Sequence, residues 1–172
     1  MKYRLLDFQD CVRYRDDILH CYQTNHFIFD SQNILHIDTP ELAQDFILKY
    51  IEAGDSCVQG IFDDNEEYLY GLVIYDMIRC TEKHTSTQVH IVNDKAIFGR
   101  VIRKLYKEII ECSPFTTIYA EIPSIAVHAI ALAKHMGFKK TGYIPNVIPY
   151  VNSKGEEKMY DLIVLSYTKE VK

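Results

Sequence analysis

Among the side chains of this sequence, His90, Glu121 and Asp76 are the candidates for general-base proton transfer. An imidazole titrates near ~6.5 when unperturbed, and a carboxylate can do the same work once it lies within hydrogen-bond reach of the proton. A structural or merely site-lining role is the alternative for His90. Tyr119 and Tyr143 could return a proton to a leaving group, although 13 tyrosines make core packing an equal account of either. His128 and His135 stand seven apart on one helical face without a third ligand, so they read as solvated rather than metal-binding. The acidic run Asp63, Asp64, Glu66, Glu67 lacks the glycine and spacing of a calcium loop and reads as a solvated turn, so no metal is expected.

A second kind of chemistry is anion binding. From Thr87 to Gly142 the chain reads as strand, loop, helix, strand and helix, ending in Gly137-Phe138. A strand that runs into a helix N-terminus presents unpaired N–H groups and the positive end of the helix dipole, where a phosphorylated ligand can sit. Lys95, Gly99 and Arg100 lie in that loop, and Asp94 places a carboxylate beside it.

The elements that must position these residues follow from periodicity. Lys2 to Phe8 suggests a strand, and Asp10 a cap for a helix through about His20, apolar at Val12, Ile18 and Leu19. Gln23 to Asp38, with Phe27, Phe29, Ile34 and Leu35, suggests an irregular loop anchored by aromatics. Thr39, Pro40 and Glu41 form a helix start, and Leu42, Phe46, Ile47 and Ile51 carry the helical spacing up to Gly54. Cys57 to Phe62 and Tyr68 to Ile78 make a hairpin, and Thr85 to Val92 alternates as a strand. Ile97, Phe98, Val101, Ile102, Leu105, Tyr106, Ile109 and Ile110 give the next helix a wide apolar face, with Asn93 or Asp94 as its N-cap. Thr116 to Ile122 is a strand, and Ser124 caps a helix whose buried stripe is Ile125, Ala129, Leu132 and Met136, closed by a left-handed Gly137. Lys140 to Pro149 begins as a strand and turns irregular, Asn152 to Glu157 is a polar turn, and Met159 to Thr168 alternates strongly.

At 172 residues and 48% hydrophobic, the chain is expected to fold as one domain over residues 1–172. A net charge of −5 argues against a phosphate-backbone binder, so no nucleic acid is expected. The five cysteines, Cys11, Cys21, Cys57, Cys80 and Cys112, contain no C-x-x-C pair and read as reduced, mostly buried thiols. MKYRLLDFQD lacks an apolar core of signal-peptide length and no run approaches ~18 apolar residues, so a soluble cytoplasmic protein without a membrane partner is expected.

This succession of elements, over essentially the whole chain, resembles the GCN5-related N-acetyltransferase (GNAT) superfamily. Its residue-level content lies in Ala129, Leu132, Met136, Gly137, Phe138 and Gly142, close to the family's A-x-x-L-x-x-x-G-F-x-x-x-G ending with one extra residue before Gly137. The VHIV of the fourth strand also resembles members encoded by bacteriophages. In the family a loop R/Q-x-x-G-x-G/A holds the coenzyme A pyrophosphate. Here Lys95 takes the basic position with Phe98 and Arg100 at the small ones, or the frame slides by one to use Gly99. The family's Asn position falls on Ala126, and its Tyr, which protonates the leaving thiolate, on Ala133.

The resemblance implies an α/β (α+β) fold with a mixed, mostly antiparallel sheet, flanking helices and a splayed fourth and fifth strand. It also implies acetyl-CoA as co-substrate, held by Val89, Ile91, Val92, Lys95, Ala96, Gly99, Arg100 and Ala126. His90 or Glu121 would then act as catalytic base toward a primary amine of a small molecule or protein, in a monomer or homodimer. The alternative is a catalytically inactive GNAT-fold protein with a binding or structural role, in a virion or in host interaction. The acceptor is set by loops near Gln23 to Asp38 and Ile144 to Glu157, which carry no chemistry-specific motif.

Overall fold

A computed structural model describes residues 1–24, 37–94, 99–151 and 156–169. Among the described residues the order is β1 (Lys2–Leu5), α1 (Phe8–Arg13), α2 (Arg15–Thr24), α3 (Pro40–Glu52), β2 (Cys57–Phe62), β3 (Leu69–Cys80), β4 (Thr85–Asn93), α4 (Arg100–Cys112), β5 (Thr117–Pro123), α5 (Val127–His135), β6 (Lys139–Val151) and β7 (Glu157–Thr168). The strands hydrogen-bond in the order β1-β2-β3-β4-β5-β7-β6. The β4–β5 pair is parallel and needs the α4 crossover, whereas β1–β2, β2–β3, β5–β7 and β6–β7 are antiparallel. This is the mixed, mostly antiparallel sheet expected. The aromatics of the expected 23–38 loop fall outside the described residues, and α2 continues through Gln23 to Thr24.

Contacts fall into two compact units. The first contains β1, α1, α2, α3, β2, most of β3 and the second half of β4. Its core is Ile18, Ala43, Ile47, Ile61, Phe62, Leu72 and Val73, all fully buried. Each such aliphatic side chain contributes roughly 1.5–3 kcal/mol by leaving water. Burial of Cys11 and Cys21 in this unit pushes both thiols up to about 12, so they are inert. Cys80 and Cys112, by contrast, are exposed rather than buried as expected.

The first helix starts at Asp7, three residues before the expected cap. Asp7 accepts from the Asp10 N–H at 2.9 Å while Asp10 accepts from the Asp7 N–H at 3.0 Å, a reciprocal capping box. Arg4 then grips the Asp10 carboxylate through two nitrogens, at 2.5 and 2.9 Å. The helix breaks at Tyr14, whose hydroxyl donates to the Glu66 carbonyl at 2.6 Å. Arg13 donates to the same carbonyl and Arg4 to the Glu66 carboxylate. The acidic turn is therefore an anchor as well as a solvated tip. Its left-handed Glu66 (φ 57) is held in place while Asp63 accepts the N–H groups of Asn65, Glu67 and Tyr68.

The second unit contains α4, β5, α5, β6 and β7, with the turn that joins β3 to β4. Ile102, Tyr106, Ile109 and Ile110 of α4 are buried together with Ile118, Leu132, Ala133, Met136, Phe138 and Leu165. Two expectations fail here. Val101 is 68% exposed rather than part of the apolar face, and Ala129 is exposed rather than part of the α5 stripe, where Ala126 and Ala133 are buried instead. Of the other expected stripe residues, Ile102, Tyr106, Ile109 and Ile110 of α4 and Leu132 of α5 are buried as expected. Gly137 does adopt the left-handed conformation (φ 95) that ends α5. β6 stays a strand to Val151, absorbing Pro145, Asn146 and Val147 in a register shift between Ile144 and Ile148. Left-handed Asn146 (φ 50) donates its N–H to Asp161.

Replacing Asp10 by alanine removes a cap and a bidentate ion pair at once, and should cost about 2 kcal/mol of unfolding free energy at neutral pH. Arg4 holds the Asp10 pKa below its usual 3.8, so the stabilisation is present above that value and fades as pH falls through the depressed one. Chemical denaturation at pH 7 should separate the two proteins, and the difference should shrink in acid; equal midpoints at pH 7 would contradict the assignment.

Candidate active site

β4 carries the strongest candidates. Its register with β5 runs from Ser86↔Thr117 to Gln88↔Tyr119, after which β4 continues to Asn93 and β5 to Pro123. Val89 and Val92 are buried, while Ile91 and His90 are half-buried. Desolvation lowers the His90 pKa below 6.5, and the negative charge of Asp76 on β3 partly opposes that shift. Near neutral pH the ring is therefore an uncharged proton acceptor.

The end of β4 corrects the expected helix start. Asp94 donates its N–H to the Tyr70 carbonyl at 2.9 Å and so continues the sheet ladder instead of capping α4. Its carboxylate stands 3.4 Å from His20 Nε2 and is only 17% exposed. Asn93 is buried, and its side chain donates to the Asp94 carbonyl. Neither residue is the N-cap. Lys95, Ala96, Ile97 and Phe98 lie outside the described residues.

The N-cap of α4 is Gly99, in extended backbone (φ −143, ψ −169), with no side-chain capping bond and no acidic residue in the first turn. The Gly99 carbonyl accepts from Arg103, closing the first turn. A helix that starts this way leaves its leading N–H groups without the side-chain oxygen that normally satisfies them. Glycine also lets a ligand reach the backbone. Arg100 is the first helical residue. These features fit an anionic group such as a pyrophosphate.

Glu121 is exposed on β5 opposite Val164, in the second unit, whereas His90 belongs to the first. Tyr119 is half-buried on the same strand. Tyr143 donates its hydroxyl to Asp161 at 3.0 Å, and that bond raises its pKa, so it holds its proton tightly. His128 and His135 are exposed, as the solvated reading expects. No group of three His, Cys, Asp or Glu among the described residues could hold a metal.

Ala126 is the N-cap of α5 and is 5% exposed, and Ala133 is 3% exposed. Ser124, the expected cap, instead donates its N–H to the Asp161 carbonyl at 2.8 Å and remains tied to the sheet.

Residues 7–159 match the acetyltransferase (GNAT) domain family. The chain belongs to the GNAT family. In fold it is similar to the ribosomal-protein-S5-alanine acetyltransferase of Vibrio fischeri, with TM-score 0.73 and 18% identity over 98% of this chain and 92% of that one. It is also similar to the spermidine N-acetyltransferase of Vibrio cholerae, in complex with CoA and spermine, with TM-score 0.72 and 16% identity over 97% and 94% of the two chains. A third similar structure is the ribosomal-protein-alanine N-acetyltransferase of Brucella melitensis, with TM-score 0.68 and 18% identity over 98% and 100%. No curated protein sequence matches the chain. Among the described residues no helix is long and apolar enough to cross a membrane.

The uncapped start of α4 gives a test in which stability and binding move in opposite directions. Gly99→Asp supplies a side-chain cap and should stabilise the helix by a few tenths of a kcal/mol. The same carboxylate should weaken binding of coenzyme A by about tenfold or more through charge repulsion at the anion site. Thermal denaturation and calorimetric titration of one variant check both, and undiminished affinity would rule this helix end out as the anion site.

Proposed function

We propose that this GNAT-family chain is an acetyl-CoA-dependent N-acyltransferase that moves an acetyl group onto a primary amine of a small molecule or protein. The observation that carries the reading, beyond family membership, is the α4 N-terminus: a glycine cap, no side-chain capping bond and no acid in the first turn. Lys95, Ala96, Gly99 and Arg100 hold the pyrophosphate, with Ala126 near the coenzyme. Val89, Ile91 and Val92 hold the pantetheine arm through the strand backbone. Such neighbours as the spermidine and ribosomal-protein-alanine acetyltransferases act on amines, which supports the acceptor class. The chain acts as a monomer or homodimer in the cytoplasm.

When bound, the thioester supplies an activated acetyl carbon. A backbone N–H of Val89 to Val92 polarises its carbonyl oxygen. His90, neutral because burial disfavours its charged form, takes the one proton that the neutral primary amine loses on acylation, directly or through a water. The C–N bond forms as the C–S bond breaks, and the sulfur takes a proton from solvent. Ala133 has no hydroxyl to give, and Tyr143 is engaged with Asp161. Glu121, exposed on β5, is the second candidate base.

One observation favours the other reading, a GNAT-fold protein without catalysis that binds a partner. Ala126 and Ala133, at the family's Asn and Tyr positions, are both buried. Calorimetric titration with acetyl-CoA decides between them, and no binding at millimolar coenzyme would remove the enzyme reading.

His90→Ala should lower kcat by about a hundredfold, the lower end of what general-base catalysis contributes, with coenzyme affinity nearly unchanged. The acid limb of the wild-type kcat/KM profile should lie below pH 6.5 and vanish in the variant. The sign for stability follows from the same depressed pKa. Burying a neutral ring is fully favourable above 6.5, and that contribution is lost as pH falls through the folded value, so His90→Gln should flatten the stability profile there. A wild-type acid limb retained in His90→Ala would transfer the role to Glu121.

A further inference from the structure

The β3–β4 hairpin contains a register change whose consequence falls on the candidate base. At its turn, Thr81 donates its N–H to the His84 carbonyl at 2.8 Å, which sets those two residues opposite each other. At its far end, the Asp94 N–H donates to the Tyr70 carbonyl at 2.9 Å, which sets that pair opposite in an antiparallel ladder. The two pairings are one residue out of step, with the surplus residue on β3. Met77 supplies it. Met77 has φ 52, the left-handed region that a methionine rarely enters, and its N–H is taken by the Asp76 carboxylate at 2.7 Å. One extra residue with a positive φ is a β-bulge, a device that re-aims side chains next to active sites.

Counting from the Tyr70–Asp94 pair places His90 opposite Ile74. Asp76 is two residues further along β3, on the same face as Ile74 and diagonal to His90. Such diagonal positions have Cβ atoms roughly 7–8 Å apart, a separation over which the carboxylate's charge acts on the imidazole without direct contact. Without the Met77 bulge, the register set by the turn would bring Tyr75 opposite His90 and put Asp76 on the other face. Both side chains are half-buried, so their charges are only partly screened. Behind Asp76 stands Tyr50 of α3, whose own pKa is raised by burial and by the Asp76 charge. Among the described residues Asp76 is the charged group that acts on His90.

We infer that Asp76 acts through His90 by its charge: the Met77 bulge sets its carboxylate on the same face of the sheet, diagonal to the imidazole, where it stabilises the imidazolium formed as the amine gives up its proton. The inference rests on the acyltransferase reading for its catalytic consequence, but the coupling between the two side chains can be read without turnover. The proton taken from the amine stays on His90 until solvent removes it, and Asp76 remains ionised throughout.

The test is the His90 midpoint, followed by NMR through its ring Hε1 signal in the full chain, in wild type and Asp76→Asn. At about 7 Å across a partly screened interior, loss of the carboxylate should lower the midpoint by about one pH unit. Asp76→Glu should restore most of the difference, and Asp76→Asn should move the acid limb of kcat/KM downward by the same amount while lowering kcat. In a His90→Ala background, Asp76→Asn should change kcat by less than about twofold. An unchanged His90 midpoint in folded Asp76→Asn overturns the inference whatever the activity. A moved midpoint in a protein with no acetyl transfer upholds the coupling and overturns the acyltransferase reading instead. Met77→Gly, which accepts φ 52 without strain, should keep the wild-type midpoint; a shift as large as that of Asp76→Asn would show that the effect is backbone displacement rather than charge.

Discussion

The hydrogen bonding of β4 is the constraint on which the candidate site depends. One edge of this strand is committed to an antiparallel ladder with β3 that lasts to Asp94, and the other to a parallel ladder with β5 that is registered only from Ser86 to Gln88. A strand in a sheet interior normally has both edges spent. Here the half that carries Val89, His90, Ile91 and Val92 lies beyond its last registered pair with β5, and this is the stretch proposed to hold the pantetheine arm. The same commitment to β3 decides where the following helix can begin.

That commitment explains why the fold was legible in the sequence while the helix starts were not. Strand order and element types follow from alternation, from the Thr39-Pro40 start of α3 and from the Gly137 stop of α5, all local signals that the structure keeps. Asp94 and Ser124 have good cap chemistry, and a reading by propensity assigns both as N-caps. Each instead gives its N–H to a sheet carbonyl, of Tyr70 and of Asp161 respectively. A backbone group can satisfy only one geometry, and a long-range ladder cannot be seen in a window of ten residues. The helices therefore start later, at Gly99 and Ala126, with no side-chain cap. At Asp7 the error runs the other way: Asp10 caps reciprocally from inside the first turn, so the helix starts earlier than a one-residue cap rule places it.

Asp94 also changes the electrostatic reading of the anion loop. In sequence it is a carboxylate next to a phosphate site, and hence a repulsive term. In the structure its oxygen faces His20 at 3.4 Å in the first unit, with the side chain mostly shielded from water. A carboxylate engaged this way spends part of its field on its partner. Gly99, five residues further on, keeps the helix start itself free of acidic side chains. The bulge at Met77 was equally hidden, because nothing in Asp76-Met77-Ile78 departs from ordinary strand composition. It emerges only from comparing the register at the two ends of the hairpin.

The two alanines of α5 bear on how protons move in this branch of the family. Ala126 and Ala133 are buried, so α5 contributes small apolar surface where relatives of the expected pattern carry an amide and a phenol. Of the two candidate phenols, Tyr119 is half-buried on β5, and Tyr143 is bonded to Asp161 and pushed toward holding its proton. In the proposed reaction, proton release from the amine and proton delivery to the sulfur are separated: the first falls to a side chain whose basicity is set by burial against a nearby carboxylate, and the second to water. Solvent must then reach the leaving sulfur, and a site that needs water at one end of the reacting bond cannot be sealed as tightly as one that carries its own acid.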